Sequence, residues 1–163
     1  MSTGHKGYRA RQITRFASHP VASHYIYFIF KPYQFSIMAY STNTPAGQTV
    51  QEIIDSLPGL MAVAVVDIQS GMALASHSNA PGLNPETAAA YNTEVVKQKQ
   101  KAMSALKLSN EKIDDILITL TNQIHLINLS DDGKKFIYLV VNSRDTNLAI
   151  ARDVCRQGAE FLK

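Results

Sequence analysis

A chain of 163 residues, 45% hydrophobic and 18% charged, has the material for one packed core and too little charge for a disordered polymer. Its net charge of +3 is uneven: residues 1–47 carry Lys6, Arg9, Arg11, Arg15 and Lys31 with no acid, a net +5, and residues 48–163 carry a net −2. The basic character belongs to the N-terminal piece, so whole-chain charge gives no case for a nucleic-acid partner, and a single Cys155 excludes an internal disulfide or a paired-cysteine zinc site.

Residues 1–47 read as an extension and residues 48–163 as a domain. Nine of the 13 aromatics lie in the extension: Tyr8, Phe16, Tyr25, Tyr27, Phe28, Phe30, Tyr33, Phe35 and Tyr40. Its densest apolar run, Val21 to Phe30, falls short of the roughly 20 residues a transmembrane helix needs, so no transmembrane segment is expected. Lys31-Pro32 follows that run in place of a small-residue cleavage site, which argues against a secretory signal. Three readings stay open. The stretch is non-native or poorly ordered, with Met38 as an alternative start; it is a basic, aromatic membrane-surface anchor; or it binds single-stranded nucleic acid, for which no stacking motif frames the aromatics. Ser41 to Gly47 reads as a linker.

Thr49-Val50-Gln51-Glu52 fits a capping box, and Val50, Ile53, Ile54 and Leu57 follow as one helical stripe that Pro58-Gly59 ends. Leu60 to Asp67 is a nearly continuous apolar run, expected as a strand buried on both faces, and Met72 to Ser76 pairs back across the turn at Gln69-Ser70-Gly71. Asn84-Pro85-Glu86 starts a long helix reaching about Leu106, with Ala88, Tyr91, Val95, Ala102, Met103 and Leu106 as a discontinuous stripe. Strands at Ile116 to Thr121, Ile124 to Leu129 and Phe136 to Val141 follow, separated by turns at Asn122-Gln123 and Asp131-Asp132-Gly133. A closing helix spans about Thr146 to Leu162, its stripe Leu148, Ala151, Val154, Cys155, Phe161 and Leu162. The order α-β-β-α-β-β-β-α with short strand connections predicts an α+β fold: a five-stranded antiparallel sheet flanked by helices.

Ser56-Leu57-Pro58-Gly59-Leu60, Ala62 to Asp67, Gly71 and Leu74-Ala75-Ser76 resemble the opening of roadblock/dynein light-chain domains. Asn147-Leu148-Ala149-Ile150-Ala151-Arg152 resembles the start of the last helix in bacterial members. The likeness covers residues 48–163 in order and spacing, and it implies the roadblock/profilin-like arrangement.

Reactive chemistry is missing from the pattern. No phosphate-cradling glycine loop, HExxH or EF-hand loop occurs, so no cofactor or metal is expected, and the chain is expected not to be an enzyme. His77 after the second strand and His125 within the fourth read as surface or satisfied histidines, and Cys155 as a small buried hydrophobe. Glu111, Asp114 and Asp115 read as solvated loop carboxylates, and Asn128-Leu129-Ser130 as a glycosylation sequon without meaning unless secreted. Lys97 and Lys101 lie within about 40° of each other on a helix while Lys99 points away, so they form no single basic stripe. The single cysteine suits a reducing, cytoplasmic compartment.

Function is therefore expected at surfaces. The resemblance implies a homodimer joined edge to edge through the strand at Ile116, Ile118 and Leu120, with the long helix contributing Tyr91, Val95, Lys99, Ala102 and Met103. It also implies a small Ras-like GTPase as partner, whose own residues the scaffold positions without donating a catalytic group; Arg144 reads as loop and cap, not as an arginine finger. Two alternatives remain: a dimerising adaptor for a larger protein without a GTPase, and, on fold-level generality alone, an enzyme with a crevice pocket.

Overall fold

The computed structural model describes residues 37–38 and 40–162; the readings placed on the basic, aromatic stretch ahead of Ile37 lie outside the described residues. Helix α1 spans Pro45–Ser56, beginning where a cap and a pre-set φ coincide: Gly47 N donates to Thr44 Oγ1 at 3.1 Å, and Pro45 opens the helix. This corrects the capping box expected at Thr49, which lies buried inside the helix, and ends the linker at Thr44. The apolar line is longer than the sequence stripe, Ala46, Val50, Ile53 and Leu57. Leu57 closes the helix, and Gly59 turns the chain at φ +80, where a side chain would strike Thr146.

The strands are β1 (Ile37–Met38), β2 (Leu60–Asp67), β3 (Ala73–Ser78), β4 (Asp115–Thr119), β5 (Gln123–Leu129) and β6 (Lys135–Asn142). They form one antiparallel sheet in the order β1-β3-β2-β6-β5-β4. The five expected strands are all present, and the two-residue β1, from a stretch read wholly as extension, adds a sixth at the β3 edge. Boundaries shift. β3 runs on through His77, expected beyond the strand, and β4 ends at Thr119, leaving Leu120 and Thr121 in the connection. There Leu120 N donates to the Gln123 carbonyl at 2.8 Å, continuing the Thr119↔Ile124 register, so the two-residue turn is Thr121-Asn122, one residue earlier than the Asn122-Gln123 expected.

The central strands β2 and β6 are buried on both sides, which is why LMAVAVV and FIYLVV show no alternation. Val63, Val65, Ile137, Leu139 and Val141 face α1 and the last helix, α3 (Leu148–Glu160), which supplies Ala151, Cys155 and Ala159. Ala62, Ala64, Val66, Phe136, Tyr138 and Val140 face the long middle helix, α2 (Pro85–Ala105). Phe161, expected in the α3 core stripe, is instead exposed beyond the helix, and Leu162 is buried.

Helix α2 carries the chain from β3 to β4, at opposite ends of the five expected strands. Four strand spacings amount to about 19 Å, and a 21-residue helix is about 30 Å long. Its tail is accordingly exposed, apart from half-buried Met103. The line that meets the sheet is Pro85, Ala89, Thr93 and Val96, not the stripe through Tyr91 and Val95. Small residues decide this: Ala89 and Thr93 permit close approach to Ala62 and Ala64, which a tyrosine would prevent.

Candidate interaction surface

With Ala89, Thr93 and Val96 turned to the sheet, the opposite side of α2 carries an apolar line into solvent. Tyr91, Val95, Gln98, Ala102 and Leu106 follow at steps of three or four residues and so share one face. Tyr91 is 75% exposed, Val95 39% and Leu106 69%. Neither Tyr91 nor Val95 belongs to the core on its own sheet, whereas Met103 is half-buried.

Beside this line lies β4. It pairs with β5 without a bulge, from Asp115↔Asn128 to Thr119↔Ile124, and it is the end strand of the sheet. Ile116 faces the α2 side and packs on that core, while Leu117 faces the α1 and α3 core. A shallow depression joins the two elements, lined by Val95, Lys99 and Ala102 from α2 and by Asp115 and Ile116 from β4. A neighbouring one takes in Met103 and Leu106. Of the residues singled out from sequence, Val95, Lys99, Ala102 and Ile116 are brought to one place. Tyr91 sits further along the helix, half-buried Ile118 lies opposite His125, and exposed Leu120 falls just past the strand.

The sequence reading left Leu106 out of the interface set, although it stood on the same stripe four residues after Ala102. It also missed the clasp on β4: Arg152 Nε and Nη2 donate to Asp115 Oδ2 and Oδ1 at 2.7 and 3.2 Å. Asp115 is half-buried in this pair, unlike the exposed Glu111 and Asp114 with which it was grouped.

The other reactive groups are held in structural roles. His125 Nδ1 lies 2.8 Å from Tyr138 OH and Nε2 lies 3.0 Å from Gln123 Oε1; with the amide oxygen accepting, Nε2 carries the hydrogen and Nδ1 accepts from the phenol. Burial lowers the His125 pKa and raises that of Tyr138. His77 is buried in β3 with Nε2 2.9 Å from Asn79 Oδ1. Burial, reinforced by Asp115, pushes the Cys155 thiol up to about 12, so it carries no thiolate near neutrality. Asp132 accepts from Lys134 N and Ser130 Oγ in the β5–β6 turn, where Gly133 has φ +66. Lys97 pairs with Glu94 at 3.7 Å, and Lys99 and Lys101 are exposed. Among the described residues, no group of three His, Cys, Asp or Glu is placed to hold a metal, and no helix is long and apolar enough to cross a membrane.

No protein-family model and no curated protein matches the chain. Solved structures do. The chain is similar to an MglB described as having a tetrameric arrangement, at TM-score 0.61 and 16% identity over 76% of this chain and 90% of that one. The gliding protein MglB of Thermus thermophilus superposes at TM-score 0.59 with 19% identity, covering 72% and 85%. A roadblock/LC7 domain from Streptomyces avermitilis gives TM-score 0.57 at 10% identity, covering 69% and 90%. The chain has the roadblock fold. On this chain α2 and β4 lie side by side, and the helix carries exposed Val95, Ala102 and Leu106 next to that strand.

Proposed function

We propose that this roadblock domain is a non-catalytic, homodimeric regulatory scaffold that holds a small Ras-like GTPase and modulates its nucleotide state or location. The observation that carries the reading is the juxtaposition of Val95, Ala102 and Leu106, all exposed and continued along the helix by Tyr91, with the bulge-free end strand β4. An end strand presents unpaired N–H and C=O groups, and a second β4 related by a two-fold axis satisfies them. The same rotation brings the two α2 lines together, burying apolar surface that is costly to leave in water. The neighbouring MglB with a tetrameric arrangement supports self-association.

The GTPase rests on the resemblance of residues 48–163 to bacterial roadblock domains. The non-catalytic role is supported by the arginines: Arg144 donates to Asn122 Oδ1, Arg152 to Asp115 and Arg156 to Asp153, so each one described is engaged within its own chain. A cytoplasmic setting belongs to the same proposal.

Sedimentation, together with retention of small GTPases from the same genome loaded with GDP or a GTP analogue, tests the reading. The expected result is twice the 18.0 kDa chain mass and retention that depends on the nucleotide. A dimer that retains no GTPase favours the adaptor, and a monomer at high micromolar concentration ends the dimeric reading.

A further inference from the structure

The sheet has two ends, and they are built differently. At the β4 end the ladder is regular and its outer side is uncovered among the described residues. At the other end, β3 pairs with β2 through an irregularity: Val65 lies opposite Ala75 and Val66 opposite Ala73, which leaves Leu74 as the extra residue of a bulge. Beyond the bulge, Ile37 and Met38 pair with Ser78 and His77 and cover the last two residues of β3. Tyr40, two residues on, is tied to α1 through Gln51 Oε1 at 2.8 Å and packs on the core, so β1 is moored close to the strand it covers.

The sequence of β3 explains why a cover is needed. Ala73-Leu74-Ala75-Ser76-His77-Ser78 contains no Lys, Arg, Asp, Glu or Pro, the residues that usually keep an edge from pairing. Exposed Met72 and Leu74 add apolar surface beside it. A two-fold axis normal to the sheet at Ser76 would set Ser76 opposite its own copy, Ala75 opposite His77 and Leu74 opposite Ser78, each pair on one face. That pairing opposes no like charges and crowds no large side chains.

We propose that the β3 edge is a second self-association surface, taking the β3 of another copy of this chain, and that Ile37–Met38 keeps it shut. Resting on the dimer reading above, it would limit edge-to-edge assembly to two chains. With both sheet ends open, each two-fold contact would leave another free end, and dimers would add to dimers without closure. Bulge and β1 together leave only β4 competent.

The full chain is compared with Ile37→Pro/Met38→Pro, which removes both N–H groups of β1, and with that variant carrying Leu74→Lys. The readouts are sedimentation across a 100-fold concentration range and thermal melting. The proline pair is expected at least to double the weight-average mass of the parent at the top concentration, and Leu74→Lys to return it to the parental value. An unchanged mass overturns the proposal, as does growth that Leu74→Lys leaves in place. Loss of a cooperative melt overturns it too, because β1 would then be part of the fold and not a cover. A monomeric parent ends the dimer reading alone; the proline pair must still double the mass for the β3 edge to stand.

Discussion

Arg152 on α3 and Asp115 at the first position of β4 meet side on, with both carboxylate oxygens engaged at 2.7 and 3.2 Å. This two-pronged contact ties the end strand, which has only one neighbour in the sheet, to a helix on the sheet's face. Because Arg152 is about half exposed, solvent weakens the pair, and Asp115→Asn or Arg152→Gln should each cost about 1 kcal/mol or less. Hydrogen exchange should report the change more clearly than melting. Amides of Asp115 to Thr119 should lose protection while those of β2 and β6 keep it, and the double variant should cost little more than either single one.

Val95 and Val96 are adjacent on α2 and about 100° apart around it, the first 39% exposed and the second fully buried against the sheet. Val96→Ala should lower stability by about 1–2 kcal/mol through lost burial, measured as a shift in the urea midpoint. Val95→Lys should leave the stability of the single chain within about 0.5 kcal/mol and reduce the sedimenting mass toward the monomer. The opposite pattern would place the docking surface elsewhere.

Where α1 passes α3, packing leaves no slack. A methyl on Gly158 would sit 2.9 Å from Thr49 Cγ2 and 3.0 Å from Ile137 Cδ1, so Gly158→Ala should destabilise by about 1–3 kcal/mol, despite a helix-propensity gain of about 1 kcal/mol. Ile137→Val, which removes Cδ1, should recover part of that loss in the double variant. Thr49 Oγ1 is buried with no hydrogen-bond partner, so Thr49→Val should raise stability by about 1 kcal/mol, read as a higher melting temperature.

His125 gives the fold a defined pH response. Burial favours the neutral ring, putting its folded pKa below the ordinary 6.5, so between those two values the unfolded chain binds more protons. Stability contributed by the neutral ring is complete above about pH 6.5, declines as pH falls, and levels off once the folded ring is protonated too. His125→Gln should flatten the dependence of the urea midpoint between about pH 7 and 5. A parental slope that survives the substitution would assign it to another group.

The elements were legible along the chain because their signals are local. Asn84-Pro85 caps α2, Pro58-Gly59 and Asp132-Gly133 turn the backbone, and unbroken apolar runs announced strands buried on both faces. Cys155 was placed correctly on a buried stripe for the same reason. The start of α1 was misjudged because two acceptable caps, Thr44 and Thr49, stand five residues apart, and packing of Ala46 on the core selects the earlier one. The surface of α2 could not be divided in advance. Its alanines, threonine and valines satisfy a core or an interface equally well, and the choice fell to Ala62 and Ala64, which are distant in sequence and admit only a slender helix face. Strand order, the two unlike sheet ends and the grip of Arg152 on Asp115 depend on contacts between residues far apart in the chain, whose free energy exists only once the sheet has closed.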